Sequence, residues 1–218
     1  ILHNKIGRVD IEKLNKGKDG DDLIRDLPGL YDVYVANGII NQDEKHGGWT
    51  NNLKLGLVYD TRDFEPNTMK GVWSEAVLFV APKFFGNGDF GYTKLSVTHR
   101  QYFTIVQDRL SFAYRLNYQG TLTGTVPFYM QPYMINSFSA SSNTDGLGGS
   151  KTLRGVLRNR VVGDAMAFGN VELRWKFFST VLFKQDIYLA TNLFADAGKV
   201  LKKIDLPAHF EPIGIGGT

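Results

Sequence analysis

From Arg109 to Gln119 the chain alternates. Leu110, Phe112, Tyr114, Leu116 and Tyr118 fall on one side, and Arg109, Ser111, Arg115, Asn117 and Gln119 on the other. Successive side chains of an extended strand point to opposite faces, so this period of two predicts a β-strand with one apolar and one polar face. The pattern recurs. Leu53, Leu55, Leu57 and Tyr59 oppose Asn52, Lys54, Gly56 and Asp60; Gly169, Val171, Leu173, Trp175 and Phe177 oppose Asn170, Glu172, Arg174 and Lys176. Ile187, Leu189, Leu193 and Ala195 oppose Asp186, Asn192 and Asp196. Over 92–104, Lys94, Ser96, Thr98 and Arg100 oppose Leu95, Val97, Phe103 and Ile105, while His99 and Gln101 break the apolar face and suggest a rim or bulge. The segment 71–81 is apolar on both faces apart from Ser74 and Glu75, which leaves its facing open. About six strands are legible, residues 1–10 read as a strand remnant, and no helical periodicity stands out.

Alternation does not say which face is wet. A soluble sandwich or small barrel turns its apolar face inward, whereas an outer-membrane barrel turns it to lipid. No run of about 18 apolar residues exists, which excludes helical membrane spans and leaves strand spans open. Three features favour the membrane version. The strands exceed the common length of about 5–6 residues. Full charges sit on the polar faces of successive strands. Long segments near 10–50, 122–162 and 198–212 alternate with short ones near 61–70, 106–108 and 178–184, as barrel loops and turns do. Six strands cannot close in lipid, which tolerates no open edge, so the expectation is an all-β, antiparallel transmembrane barrel that is incomplete in this chain.

The net charge of +3 comes from interspersed charges with no basic block, which argues against a nucleic-acid partner. There is no cysteine, hence no disulfide and no thiolate metal site. His3, His46, His99 and His209 show no metal spacing, so no metal and no cofactor are expected. The acidic cluster in 16–22 lacks the calcium-loop spacing. Residues 86–91 spell a dinucleotide fingerprint but precede a strand instead of a helix. Residues 146–152 end in Gly-Gly-Ser-Lys-Thr, where Ser150 splits the Gly-Lys pair that a phosphate loop needs. Asp60, Asp63 and Glu65 read as solvated turn carboxylates, and no nucleophile elbow occurs. Nothing in the chain argues for catalysis.

The stretch that remains is Gly148-Gly149-Ser150-Lys151-Thr152-Leu153-Arg154-Gly155, in which three glycines bracket one arginine. It reads either as a tightly folded tip presenting Arg154 or as a flexible basic surface loop.

With these motifs in order, the chain resembles the BamA/TamA family of bacterial surface antigens, outer-membrane barrels that insert other barrels or pass proteins across the membrane. The resemblance covers about 53–198. Tyr59-Asp60-Thr61-Arg62-Asp63, with Pro66 and Gly71, is similar to the family's periplasmic turn. Gly149 to Val156, with Leu153, Arg154 and Gly155, is similar to its loop-six signature, Leu153 standing for the usual valine and Val156 for the usual aromatic. Residues 170–174 and 194–198 are similar to the two strand motifs that follow, and the wording is closest to Bacteroidetes-like members.

The resemblance implies that 1–218 is one partial barrel domain, the C-terminal part of a sixteen-stranded barrel in the bacterial outer membrane. It implies a non-enzymatic role in assembly or translocation of outer-membrane proteins. The partners would be the lipid bilayer, unfolded outer-membrane clients and accessory lipoproteins. In the family the loop folds into the lumen and its arginine meets acidic wall residues. Glu172 and Asp196 lie on the polar register of neighbouring strands, so Arg154 is expected to bridge them with its planar guanidinium. In a wet lumen one such pair contributes under about 1 kcal/mol, which makes loop placement its value. The alternative is that both carboxylates only line a polar channel. At the level of function the alternatives are a passive pore or surface antigen, a barrel carrying an upstream lipase-like domain, and a soluble β-protein.

Overall fold

The computed structural model describes residues 1–135, 137–138 and 144–202. Six long strands form one antiparallel meander: β3 (Leu53–Asp60), β4 (Gly71–Ala81), β5 (Tyr92–Val106), β6 (Leu110–Gly124), β7 (Ala165–Leu182) and β8 (Gln185–Lys202), each paired with its sequence neighbour. β3 and β8 are the two edges, so the sheet is open, as in part of a barrel. A two-stranded ribbon, β1 (Leu2–Lys5) on β2 (Gly47–Thr50), leads into β3.

The exposure pattern settles which face is wet. Leu57, Leu116, Trp175 and Leu193 are exposed on one face, while Lys94, Thr98, Gln119 and Asp196 are buried on the other. A soluble sheet would show the reverse. The polar side chains are buried because the loop joining β6 to β7 folds back over them. Its segment around 126–135 packs Val126, Met130, Tyr133 and Ile135 against Val77, Phe79, Ala81 and Tyr92. That cluster explains β4, whose burial alternates: its inner face is apolar because it receives the loop, and its apolar outer face belongs to the exposed apolar side of the sheet. A second cluster seats Leu147, Leu153 and Val161 of the loop against Met166 and Phe168 of β7.

Four expectations need correction. The rim or bulge foreseen at His99 is absent: the β5 register runs evenly between shifts at 93/94 and 104/106. Polar neighbours satisfy one another there instead. Tyr114 donates to Gln101 (2.7 Å), and His99 contacts Ser74 (2.7 Å) and Tyr114 (3.2 Å). The turn expected at 178–184 is mostly strand, because a register shift between Lys176 and Phe178 changes the phase of the alternation and hides the continuation to Leu182. The hairpin itself is Phe183-Lys184, both at positive φ, the conformation that two-residue hairpins favour. The segment expected to begin near 198 is still β8 up to Lys202, and 203–212 lie outside the described residues. Finally, the polar stretch 10–50 contains α1 (Ile11–Asn15), capped by Asp10, and α2 (Leu30–Ala36), whose leading Gly29 N–H donates to Asp32. Both are too short for helical periodicity to register.

Candidate functional site

The tip of the β6–β7 loop is a narrow hairpin. Leu147 N–H donates to Val161 O and Gly149 N–H to Val156 O, both at 2.9 Å. Gly149 (φ 75°) and Gly155 (φ 86°) take left-handed conformations that other side chains resist. The buried Thr152 hydroxyl closes the tip, accepting from Gly148 N–H (2.7 Å) and donating to Gly148 O (2.8 Å). Leu153, almost fully buried, points into the cluster on β7 and β8.

Antiparallel register places one row of inner-face residues across the wall: Trp73, Arg100, Arg115, Asn170 and Asp196. The next row towards the short turns carries Tyr102, Ala113, Glu172 and Phe194. The loop tip docks on these rows. Asn170 donates to Thr152 O (2.8 Å), and Arg115 donates to Lys151 O (2.7 Å) and to Asn170 Oδ1 (2.8 Å). Two backbone carbonyls of the tip are thus held by wall side chains.

Arg154 stands between the two expected carboxylates. Its Nε and Nη2 donate to Asp196 Oδ2 and Oδ1 (2.7 and 2.6 Å), its backbone N–H donates to Asp196 Oδ2 (2.9 Å), and its Nη1 donates to Glu172 Oε1 (2.7 Å). The Asp196 side chain is 2% exposed and Glu172 21%, so the site is shielded well beyond a surface pair. Glu172 also takes Arg174 Nε at 2.9 Å. The guanidinium lies 3.7 Å from the centre of the Phe194 ring, a cation–π contact. Sequence reading missed Phe194. It stands on the polar register between Asn192 and Asp196, and an aromatic there was the available signal. It supplies to Arg154 an aromatic face that Val156, the residue two on in the loop, cannot.

At the short-turn end, Asp60 and Arg62 form a two-point ion pair, with Arg62 Nε and Nη2 donating at 2.9 and 2.7 Å, and Arg62 also reaches Glu65 at 3.5 Å. Hydrogen bonding to Asp60 raises the Arg62 pKa, against the opposing effect of burial. Asp63 Oδ1 accepts from the N–H groups of Phe64, Met69 and Lys70 (2.9, 3.1 and 3.3 Å). Burial works against its charge, but the N–H groups of Lys70, Met69 and Phe64 outweigh it and hold the carboxyl below its ordinary range. Pro66 sits in the short 3-10 turn Glu65–Asn67. Gly71 (φ 116°) opens β4 where the Thr61 carbonyl leaves no room for a Cβ. Arg62 also lies 5.6 Å from the centre of the Trp73 ring, on which Arg100 stacks at 4.1 Å, so the turn motif adjoins the wall on which the loop tip docks. Among the described residues no group of three His, Asp or Glu is placed to hold a metal ion, and His209 lies outside them.

A family model described as the Omp85 superfamily domain matches residues 5–205. Comparison with curated proteins finds no match.

Proposed function

The chain belongs to the Omp85 superfamily, and from that premise we propose that it forms the barrel of a BamA/TamA-type factor that assembles or translocates proteins in the bacterial outer membrane. The superfamily match supports outer-membrane insertion or translocation broadly. One observation carries the finer reading: the long β6–β7 loop is seated on the polar face and clamped there through Arg154, Asp196 and Glu172. In a passive pore a loop bonded across the wall serves only to narrow the channel. A barrel that opens a seam for clients gains a brace.

The mechanism has no chemical step and needs no cofactor. The barrel lowers the barrier to client insertion by parting an edge and thinning the bilayer, while the braced loop keeps the remaining wall in register. The bilayer, unfolded outer-membrane proteins and accessory lipoproteins are the partners this role requires.

The test is depletion in cells, together with reconstitution of the full-length protein in liposomes with a urea-unfolded barrel client. Faster client folding than in empty liposomes, and loss of outer-membrane proteins on depletion, are expected. Steady conductance in planar bilayers with no assembly defect on depletion would assign a passive pore instead.

A further inference from the structure

Beside the docked loop tip the wall lines a half-open cavity of about 330 Å³, at the small end of ligand-binding pockets. Its lining is strongly cationic. Arg100, Arg115, Arg174, Lys151 and Arg154 all border it, with Glu172 as the carboxylate on its wall. Glu172 is already shared between Arg154 and Arg174, and Asp196 is engaged by Arg154 through three bonds.

Cations outnumber carboxylates around this space: Glu75 acts on Arg100, and Asp196 and Glu172 act on Arg115. Arg100 and Arg115 are direct cross-strand partners on the inner face, where like charges repel. Their flanking partners in the row, Trp73 and Asn170, are neutral. Arg100 stacks on Trp73 at 4.1 Å and feels the charge of Glu75 on β4. The hydrogen bonds of Arg115 go to neutral acceptors, Asn170 Oδ1 and Lys151 O, and its guanidinium lies 4.8 Å from the Phe168 ring centre. A protein that needed only to hold the loop could do so with neutral donors.

We propose that this cavity binds a phosphate-class oxyanion. The cationic side chains border the space from the wall (Arg100 on β5, Arg115 on β6, Arg174 on β7) and from the loop tip (Lys151), so they reach it from two surfaces instead of one. That arrangement suits a tetrahedral group of high charge better than a planar carboxylate, and guanidinium forks match phosphate oxygens. A bound oxyanion offsets the Arg100–Arg115 repulsion and joins Lys151 of the loop to the wall, so it tightens the loop. Inorganic phosphate and the phosphate of a lipid headgroup share this chemistry. The inference stands independently of the assembly role.

Calorimetric titration of inorganic phosphate into the full-length protein in phosphatidylcholine nanodiscs tests it, with chloride at matched ionic strength as the blank. Saturable binding is expected, weakened about tenfold or more by Arg115→Gln and several-fold by Lys151→Gln, in line with the loss of one charged partner each. Nanodiscs containing phosphatidic acid separate the sources. Loss of phosphate binding there assigns the site to a headgroup, and unchanged binding assigns it to the free anion. Should Arg115→Gln fail to fold, Lys151→Gln decides alone, because that side chain is exposed and its backbone carbonyl makes the contact to Arg115. Binding no stronger than the chloride blank in both kinds of nanodisc, or unaltered binding in folded variants, would overturn the proposal.

Discussion

The side chain of Leu153 occupies the space that a Cβ on Gly198 would need: its Cδ1 lies 2.8 Å from that position and its Cδ2 3.1 Å. Leu153 is the residue before Arg154, and Gly198 is two residues beyond Asp196 on the same face of β8. The loop motif and the strand motif are therefore complementary in shape as well as in charge. Gly198→Ala should push Leu153 out of its cluster and cost about 1–3 kcal/mol, the range for overpacking a core. Leu153→Ala alone should cost about 2–5 kcal/mol. Because the two residues touch, the double variant should be less destabilised than the sum of the singles. A urea-unfolding cycle in detergent checks this, and strict additivity would show that the contact does not matter.

The two carboxylates around Arg154 are unequal. Asp196 accepts three bonds from Arg154, including the backbone N–H, whereas Glu172 accepts one and has Arg174 as a second partner. Asp196→Asn should therefore release the loop tip more than Glu172→Gln, by about 1.5–3 kcal/mol, the scale of one charge-assisted hydrogen bond. Arg154→Lys should resemble Asp196→Asn, since an ammonium cannot make the two-point contact. The readout is the labelling rate of a cysteine placed at Lys151, expected to rise in the order wild type, Glu172→Gln, Asp196→Asn. Equal rates would count against the asymmetry.

How much of this was legible beforehand follows from which forces leave a local pattern. An apolar outer face and a polar inner face impose alternation, so the strands carrying Leu57, Leu116 and Leu193 could be read directly, and with them the placement of Glu172 and Asp196 on one face. β4 could not be oriented, because its inner face is apolar for a reason far along the chain: Phe79 meets Tyr133 of the loop. The end of β7 was hidden by a one-residue change of phase. Phe194 and Arg115 act through tertiary neighbours, Arg154 and Lys151, that no spacing rule connects to them. His99 looked like an interruption because its satisfaction by Ser74 and Tyr114 depends on partners across two strand pairs.

The short turn carries its own pH dependence. The folded-state pKa of Asp63 is depressed, so its contribution to stability is fully present above the unfolded value of about 3.9 and is lost as pH falls through the folded value. Amide hydrogen exchange at Phe64, Met69 and Lys70 should therefore accelerate on acidification below about pH 4 beyond the intrinsic trend. Asp63→Asn should show faster exchange already at neutral pH and little further change, with a cost of about 1 kcal/mol, typical of a lost side-chain cap on backbone donors. Exchange in wild type that merely follows the intrinsic pH trend would argue that the carboxylate contributes nothing to the turn.

Gly71 should tolerate substitution less well than Gly198, for a structural reason. At Gly198 the obstacle is a side chain, whereas at Gly71 it is the Thr61 carbonyl, 2.5 Å from a Cβ position, together with a φ of 116°. Backbone cannot step aside without breaking the Thr61 N–H bond to Val72 O at 2.9 Å, which closes the turn. Gly71→Ala should cost about 1–3 kcal/mol from the strained conformation alone, with the clash in addition. Heat-modifiability on gels, which reports barrel integrity, should fail at a lower temperature for Gly71→Ala than for Gly198→Ala. The reverse order would indicate that the turn rearranges freely.

Gln119 provides the last test, because it holds the loop by both ends of one amide. Its Nε2 donates to Tyr133 O (2.7 Å) and its Oε1 accepts from Ile135 N–H (2.8 Å), so a single side chain on β6 bonds the loop backbone as a neighbouring strand would. It is 1% exposed, and water has little access to replace it. Gln119→Leu keeps the bulk but strands one buried carbonyl and one buried N–H, each worth about 1–3 kcal/mol when unsatisfied. Gln119→Glu keeps the acceptor for Ile135 and loses the donor to Tyr133, so it isolates half of the contact while adding a buried charge. Both variants should loosen the loop segment 133–135 and increase its cleavage by protease added to intact cells, with the Arg154 contacts to β8 still in place. Cleavage that rises together with labelling at position 151 would mean instead that the loop detaches as one unit, and that its two anchors, Gln119 near the long-loop end and Asp196 deeper along the wall, are cooperative.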